Sequence, residues 1–378
     1  MKVRGLGRLV GLVGLVVLAS CKAAEVPPQP TPPHEEPGPV ASQPPPPATS
    51  KPEVAPPPKS GTRTVLANRA NDDTWDKMLV AGGRLWVLTN VTRWTSGPMY
   101  VPAARLWSVP IGGGQLEKHL DLEGISSLAA DDSSLYVAVS RDLSKPNGPT
   151  GRVVRIPLAG GSPSDVITGI APSTMAVDRD GLWIDDKHVG KDGKPETVAT
   201  KGAMAFAFDD ENVYFTTPKG AGPAGDSSGA RVFRVSKKGG QPKLLAGKLP
   251  DEAAGLAVDG THVYFCAVSW SSSAAERAGI VARVPKAGGD VEFLAKEQPA
   301  VRRAWLDDAN VYVLSGRGGH RASVLAISKT GGEPKTIAVD DTLEHATMDA
   351  SSVFFSSDGA FDADHKRVAP ASLVRITK

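Results

Sequence analysis

Of 378 residues, 40% are hydrophobic, 22% charged and 6% aromatic, with 40 glycines, 32 prolines and 2 cysteines. Fifteen of the prolines fall in residues 26–58 and every aromatic residue lies beyond residue 60, so a leader that cannot build a core precedes a body large enough to bury one. Three of the positive charges lie in the first eight residues, and without residues 1–20 the formal balance falls from +2 to about −1, which gives no reason to expect the concentrated basic surface that nucleic-acid binding needs.

Lys2, Arg4 and Arg8 precede the apolar run LVGLVGLVVL (9–18), and Leu18-Ala19-Ser20-Cys21 follows. A basic start, a short apolar stretch and a small-residue cleavage site make a secretory signal too short to span a bilayer as a mature helix. The run ending in Cys21 resembles the bacterial lipobox. The resemblance implies removal of residues 1–20, acylation of Cys21 and a membrane anchor through that lipid. With Lys22 next, it further implies an outer-membrane lipoprotein whose body stands in the periplasm or at the cell surface. Residues 21–60 carry PPQPTPP, PPPP and APPP among Ser, Thr, Ala and Glu, which predicts a disordered, semi-extended polyproline II linker. Lipidation would leave Cys266 without a partner, and its setting VYFCAV predicts a buried, inert thiol.

From residue 61 the chain repeats. GGRLWVLT (82–89), DSSLYVAV (132–139), RDGLWIDD (179–186), DENVYFTT (210–217), GTHVYFCA (260–267), DANVYVLS (308–315) and ASSVFFSS (350–357) are seven copies of one turn-plus-strand signature. A second signature follows six of them: RLWSVPIGGG, RVVRIPLAGG, RVFRVSKKGG, VARVPKAGG, VLAISKTGG and, at the C-terminus, LVRITK. Each unit reads as four strands, with an apolar strand, a tight turn, the aromatic-centred strand, a loop, the Arg-rich strand, a Gly-Gly turn and a closing strand. No segment carries a helical period.

Four short strands repeated seven times predict an all-β fold, a single seven-bladed β-propeller over residues 61–378. The last unit stops one strand short, so residues 62–67 are expected to supply its outer strand and close the ring. The short third unit, 170–202, leaves a six-bladed ring with an insertion as the alternative. The units resemble YWTD-, NHL- and TolB-like propellers, above all bacterial envelope lipoproteins with an Asp-x-x-x-Val-Tyr-Phe run followed by Arg-Val-Pro-Lys-x-Gly-Gly. That resemblance implies a fold and no reaction.

The long loops all join second to third strands, so an interaction surface is expected on their side. Trp94, Tyr100, Trp270 and Phe361, with Arg277, Arg317 and Arg321, are its candidate binding residues for a protein, glycan or small-molecule ligand, unless the loops fold back and bury the rings. At the starts of the innermost strands, Trp75, Asp76, Glu252, Arg302, Arg303, Glu344 and His345 are candidates for the mouth of the central channel. Of the adjacent pair Glu344 and His345, strand alternation lets at most one face the axis. By fold analogy such a mouth could serve an enzyme of lactonase, lyase or hydrolase type. Asp362-Ala363-Asp364-His365 lacks the further ligands calcium needs, and no nucleophile elbow, zinc motif or phosphate loop is present. Neither metal nor cofactor is expected, and no catalytic residue is assigned.

Overall fold

The computed structural model describes residues 61–69, 74–94, 100–139, 151–221, 228–269, 278–316, 322–359 and 369–378, with the backbone alone at 91–94, 100–103, 123, 125 and 126. Its 28 strands form seven four-stranded antiparallel sheets. In chain order the blades occupy 74–123, 125–170, 175–197, 205–249, 252–299 and 302–340, and the seventh joins 343–377 to 63–68. First strands of neighbouring blades stand side by side, and Leu343–Met348 of blade 7 meets Thr74–Ala81 of blade 1, which closes a seven-bladed ring.

Closure runs as the sequence predicts. Arg63–Asn68 pairs antiparallel with Ser372–Thr377, and Gly61 and Arg69 donate backbone hydrogen bonds to Thr377 and Ala371 at 2.7 and 2.8 Å. The third blade is complete, so the six-bladed alternative falls. Its strands Met175–Val177, Gly181–Ile184, Lys187–Gly190 and Pro195–Thr197 are only three or four residues long.

The core is divided among the junctions. Each pair of adjacent blades shares its own buried cluster, such as Tyr214, Val232, Val263 and Phe265 between blades 4 and 5, or Leu66, Trp75, Val87 and Phe354 where blade 7 meets blade 1. Apolar residues on both faces of the middle strands follow from this, because each of those strands is covered on two sides.

The repeated polar residues staple these junctions on the tight-turn side. Asp209 accepts the backbone N–H groups of Glu211 and Asn212 at 2.9 and 2.7 Å, the Tyr214 hydroxyl at 2.8 Å, and Lys286 Nζ from the next blade at 2.6 Å. Asp259, Tyr264 and Lys329 repeat the arrangement, as do Asp307, Tyr312 and Lys378. Returning across the junction, Arg234 donates to the Lys286 carbonyl at 2.9 Å and Arg283 to the Lys329 carbonyl at 2.8 Å. Burial raises the Asp209 and Asp259 carboxyls, but these donors outweigh it and hold both well below the ordinary range. Blade 3 carries Trp183 in the tyrosine position and keeps its lysine, Lys237 reaching Asp178 at 2.6 Å, whereas at two junctions an apolar residue stands in the lysine position. Ala81 and Trp86 of blade 1 meet Leu158, and Phe354 of blade 7 meets Ile111.

The Gly-Gly pairs complete the signature for a conformational reason. At 113–114, 160–161, 239–240, 288–289 and 331–332 the first glycine has φ between 84° and 93° and the second between 112° and 148°, a region that L side chains rarely adopt.

Candidate functional site

The connections between blades, and the ends where second strands pass into third strands, lie on the face opposite the staples. There the inner strands begin, and five of the seven depart from regular pairing. The register slips between Trp75 and Lys77, Ile125 and Ser127, Glu252 and Gly255, Arg302 and Ala304, and Leu343 and Ala346. These are β-bulges, which bend a strand and re-aim the extra side chain. The bulged residues include Asp76, Arg303 and His345. Arg303 takes φ 57°, a left-handed conformation that a non-glycine residue adopts only where its surroundings hold it.

Asp76, Glu252, Arg303 and His345, from blades 1, 5, 6 and 7, line one cavity of about 480 Å³ on the ring axis. Lys77, Arg302, Ser173 and Thr174 line it too. Trp75 is a correction to the expected rim. It is 4% exposed, packs with Met78 and Leu85 at the junction of blades 7 and 1, and has the Arg69 guanidinium 5.9 Å from its ring. Trp75 and Asp76 are strand neighbours and point to opposite faces, the ring into the core and the carboxylate into the channel, and the slip that follows brings Lys77 to the channel side as well. Glu344 does not line the cavity and His345 does, as alternation allows for one of the pair.

Protein crowds this cavity while water still enters it. Burial pushes the His345 imidazole down to about pKa 4, with Arg303, Arg302 and Lys77 adding to the fall and Asp76 opposing it. At neutral pH the ring is therefore uncharged, able to donate one hydrogen bond and accept another. Burial also lowers Arg303, opposed by Asp76; a guanidinium stays cationic throughout the physiological range. Neither His345 nor Arg303 has a side-chain hydrogen bond among the described residues. Asp76 takes the Lys77 ammonium at 3.2 Å. Three cations and two carboxylates around a neutral imidazole suit a small polar ligand with an anionic group, with Arg303 as the planar, two-pronged donor. Among the described residues no three His, Cys, Asp or Glu side chains gather as a metal would require.

The expected loop-face residues are beyond this description. Trp270, Arg277, Arg317, Arg321 and Phe361 lie outside the described residues, as do Cys21 and the Asp362–His365 stretch, and Trp94 and Tyr100 are described only as the last backbone pair of their ladder. Sequence reasoning missed Lys77, Ser173 and Thr174, for which no repeat position gives a signal, while Arg302 lines the cavity as expected. A wider hollow of about 760 Å³ lies at the blade 6 and 7 seam. Its Asp340 is already held by Arg63, Thr342 and Ser357, so the axial cavity carries the stronger chemistry.

No protein-family model matches the chain, and no curated protein matches it. Solved structures do match. The β-propeller domain of the Trilobed protease from Pyrococcus furiosus is similar at 12% identity and TM-score 0.53, over 80% of this chain and 95% of that one. Acylaminoacyl peptidase from Pyrococcus horikoshii is similar at 10% identity and TM-score 0.51, over 80% of this chain and 50% of that one, so this chain spans about half the peptidase. Identities this low speak to the fold alone. The furiosus domain is described as an open velcro propeller, whereas here the first and last strands pair.

Proposed function

We propose that the chain is a membrane-anchored envelope lipoprotein whose propeller is a binding module, taking its ligand from the long-loop face into the axial cavity. One observation carries the reading. The repeated residues are spent on staples at the opposite face, while the residues that break the repeat, Asp76, Glu252, Arg303 and His345, meet in one cavity at the loop side. Side chains bulged out of three blades, joined by Glu252 from a fourth, turn toward one space, and a ligand gives that convergence a purpose. A small molecule bearing a carboxylate or phosphate beside hydroxyl or amino groups fits their charges. The lipobox-like run ending in Cys21 supports anchoring, and the proline-rich residues 21–60 support a spacer that holds the body away from the bilayer.

The same gathering of an imidazole, carboxylates and guanidinium favours a second reading, an envelope lactonase, lyase or hydrolase. Against it, no carboxylate among the described residues hydrogen-bonds His345 to orient it.

The test is a thermal-shift and NMR screen of anionic small molecules and glycans, followed by turnover assays on each hit. Binding lost in R303Q and D76N without turnover supports the module. Turnover abolished in H345Q supports the enzyme, and hits indifferent to all three variants overturn both. Metabolic lipid labelling of the full chain and of C21A tests the anchor, which predicts label and membrane association only with Cys21.

A further inference from the structure

On the staple face the seven junctions supply their own template for a second site. An aspartate five residues before the central aromatic is present in six blades: Asp131, Asp178, Asp209, Asp259, Asp307 and Asp349. In four of them a lysine that follows the third strand of the next blade reaches it: Lys237 to Asp178 at 2.6 Å, Lys286 to Asp209 at 2.6 Å, Lys329 to Asp259 at 3.0 Å and Lys378 to Asp307 at 4.0 Å. In three of these the ammonium also stands over a tyrosine ring, at 4.9 to 5.9 Å, within cation–π range. Blade 7 has Phe354, without a hydroxyl, five residues after Asp349, and the apolar Ile111 stands in the lysine position of that junction, which asks for no cation.

The junction of blades 2 and 3 is the exception. Asp131 is built like the others, accepting Ser133 and Ser134 N–H at 2.8 Å and the Tyr136 hydroxyl at 2.9 Å. No lysine reaches it among the described residues. Lys191 holds the corresponding chain position, but blade 3 is short and Lys191 remains exposed, with no ion pair among the described residues. Arg155, in register with Tyr136 as Arg234 is with Tyr214, is also left over. It donates Nε to Ser134 Oγ at 2.8 Å, and no carbonyl of blade 3 receives its outer nitrogens as the Lys286 carbonyl receives those of Arg234. The space so left is a cleft of about 690 Å³ lined by Asp131, Tyr136, Arg155 and Lys191.

From this we infer that the cleft between blades 2 and 3 is a docking site for a lysine residue of a polypeptide, its ammonium on Asp131 and Tyr136 and its carbonyl on Arg155. The ligand repeats what Lys286 does within the fold. The carboxylate and ring select a primary ammonium on an unbranched stem, and Arg155 adds selection for the peptide carbonyl that follows it. This site lies on the opposite face from the axial cavity and stands independently of the reading given to that cavity.

Saturation-transfer NMR of acetyl-Lys-Gly-Gly-amide with the full chain tests it, with acetyl-norleucine-Gly-Gly-amide and free lysine as comparison probes. The lysine peptide is expected to bind more tightly than free lysine, and the norleucine peptide not to bind. D131N is expected to weaken the lysine peptide by about tenfold, the loss of one charge-assisted contact. R155Q, changed at an exposed side chain and safe for folding, is expected to reduce the preference for peptide over free lysine, while K191A binds at least as tightly as the parent. Equal binding of the norleucine peptide overturns the inference. So does unchanged affinity in both D131N and R155Q, or binding by K191A alone, which would mean that Lys191 fills the seat in solution.

Discussion

Cys266 shows how tightly single positions are set around the channel. Its thiol is fully buried, its Sγ lies 3.5 Å from the Arg303 carbonyl, and burial pushes its pKa up to about 12. An aromatic disulfide reagent is therefore expected to leave a chain beginning at residue 61, which lacks Cys21, unmodified at pH 8 and to label it at once in urea; rapid native labelling would contradict the burial. Across from it, a Cβ on Gly255 would meet Cys266 Sγ and the Arg303 carbonyl carbon, each at 2.5 Å. Gly255→Ala should therefore cost about 2 kcal/mol or more and displace the Arg303 bulge, so loss of ligand binding should accompany the fall in urea midpoint. His345 gives a pH prediction. Its folded pKa of about 4 lies below the unfolded value near 6.5, so the unfolded chain binds the extra proton first. Its contribution is fully present above pH 6.5 and is lost as pH falls toward 4. Allowing for water in the open cavity, the loss should be of order 2 kcal/mol, and His345→Gln should flatten that part of a stability-against-pH curve.

Strands and turns were legible in the sequence wherever each signature residue has one mechanical duty. The aspartate closes the turn, the aromatic fills the junction, the lysine bridges to the next blade, and the Gly-Gly pair supplies φ values other residues resist, so six blades and the closing strand are legible in the sequence, while the short third unit, which lacks the second signature, leaves its blade open. Bulges leave no such mark. One extra residue in an inner strand reverses alternation from that point, so Lys77 joins Asp76 at the cavity with no sequence pattern to announce it, while Trp75, before the slip, alternates into the core. The staples themselves are testable. Lys286 and Asp209 are 21% and 19% exposed at the side chain, against 63% and 82% for Arg179 and Asp210. In urea unfolding K286M should cost about 1–2 kcal/mol, and R179M close to nothing, because exposed pairs contribute little. The depressed Asp209 and Asp259 carboxyls put the staple contribution above pH 4, and it should disappear as pH falls further. Equal costs for K286M and R179M would mean that the staples are ornamental.

A ring has no stable half-way form, because every blade buries its two faces against neighbours. The seventh blade carries the whole closure, since its outer strand comes from residues 63–68 and its other three from 343–377. Besides the backbone ladder, that outer strand contributes Leu66, 4% exposed, to the cluster shared with blade 1, and Arg63, 3.3 Å from Asp340 of blade 6. Truncation to residue 70 should remove all of this and uncover the edge of Ser372–Thr377, which would then be free to pair with other chains. Burial of the leucine alone is worth about 2 kcal/mol, and loss of the ladder adds to it. The truncated chain is therefore expected to melt at a clearly lower temperature than one beginning at residue 61 and to run as oligomers in size-exclusion chromatography with light scattering. The substitution L66A, which keeps the ladder, should lower the melting temperature while leaving the chain monomeric. Should the truncated chain remain monomeric with an unchanged melting temperature, the N-terminal strand would not be what holds the ring shut, and the clusters at the seven junctions would have to close it unaided.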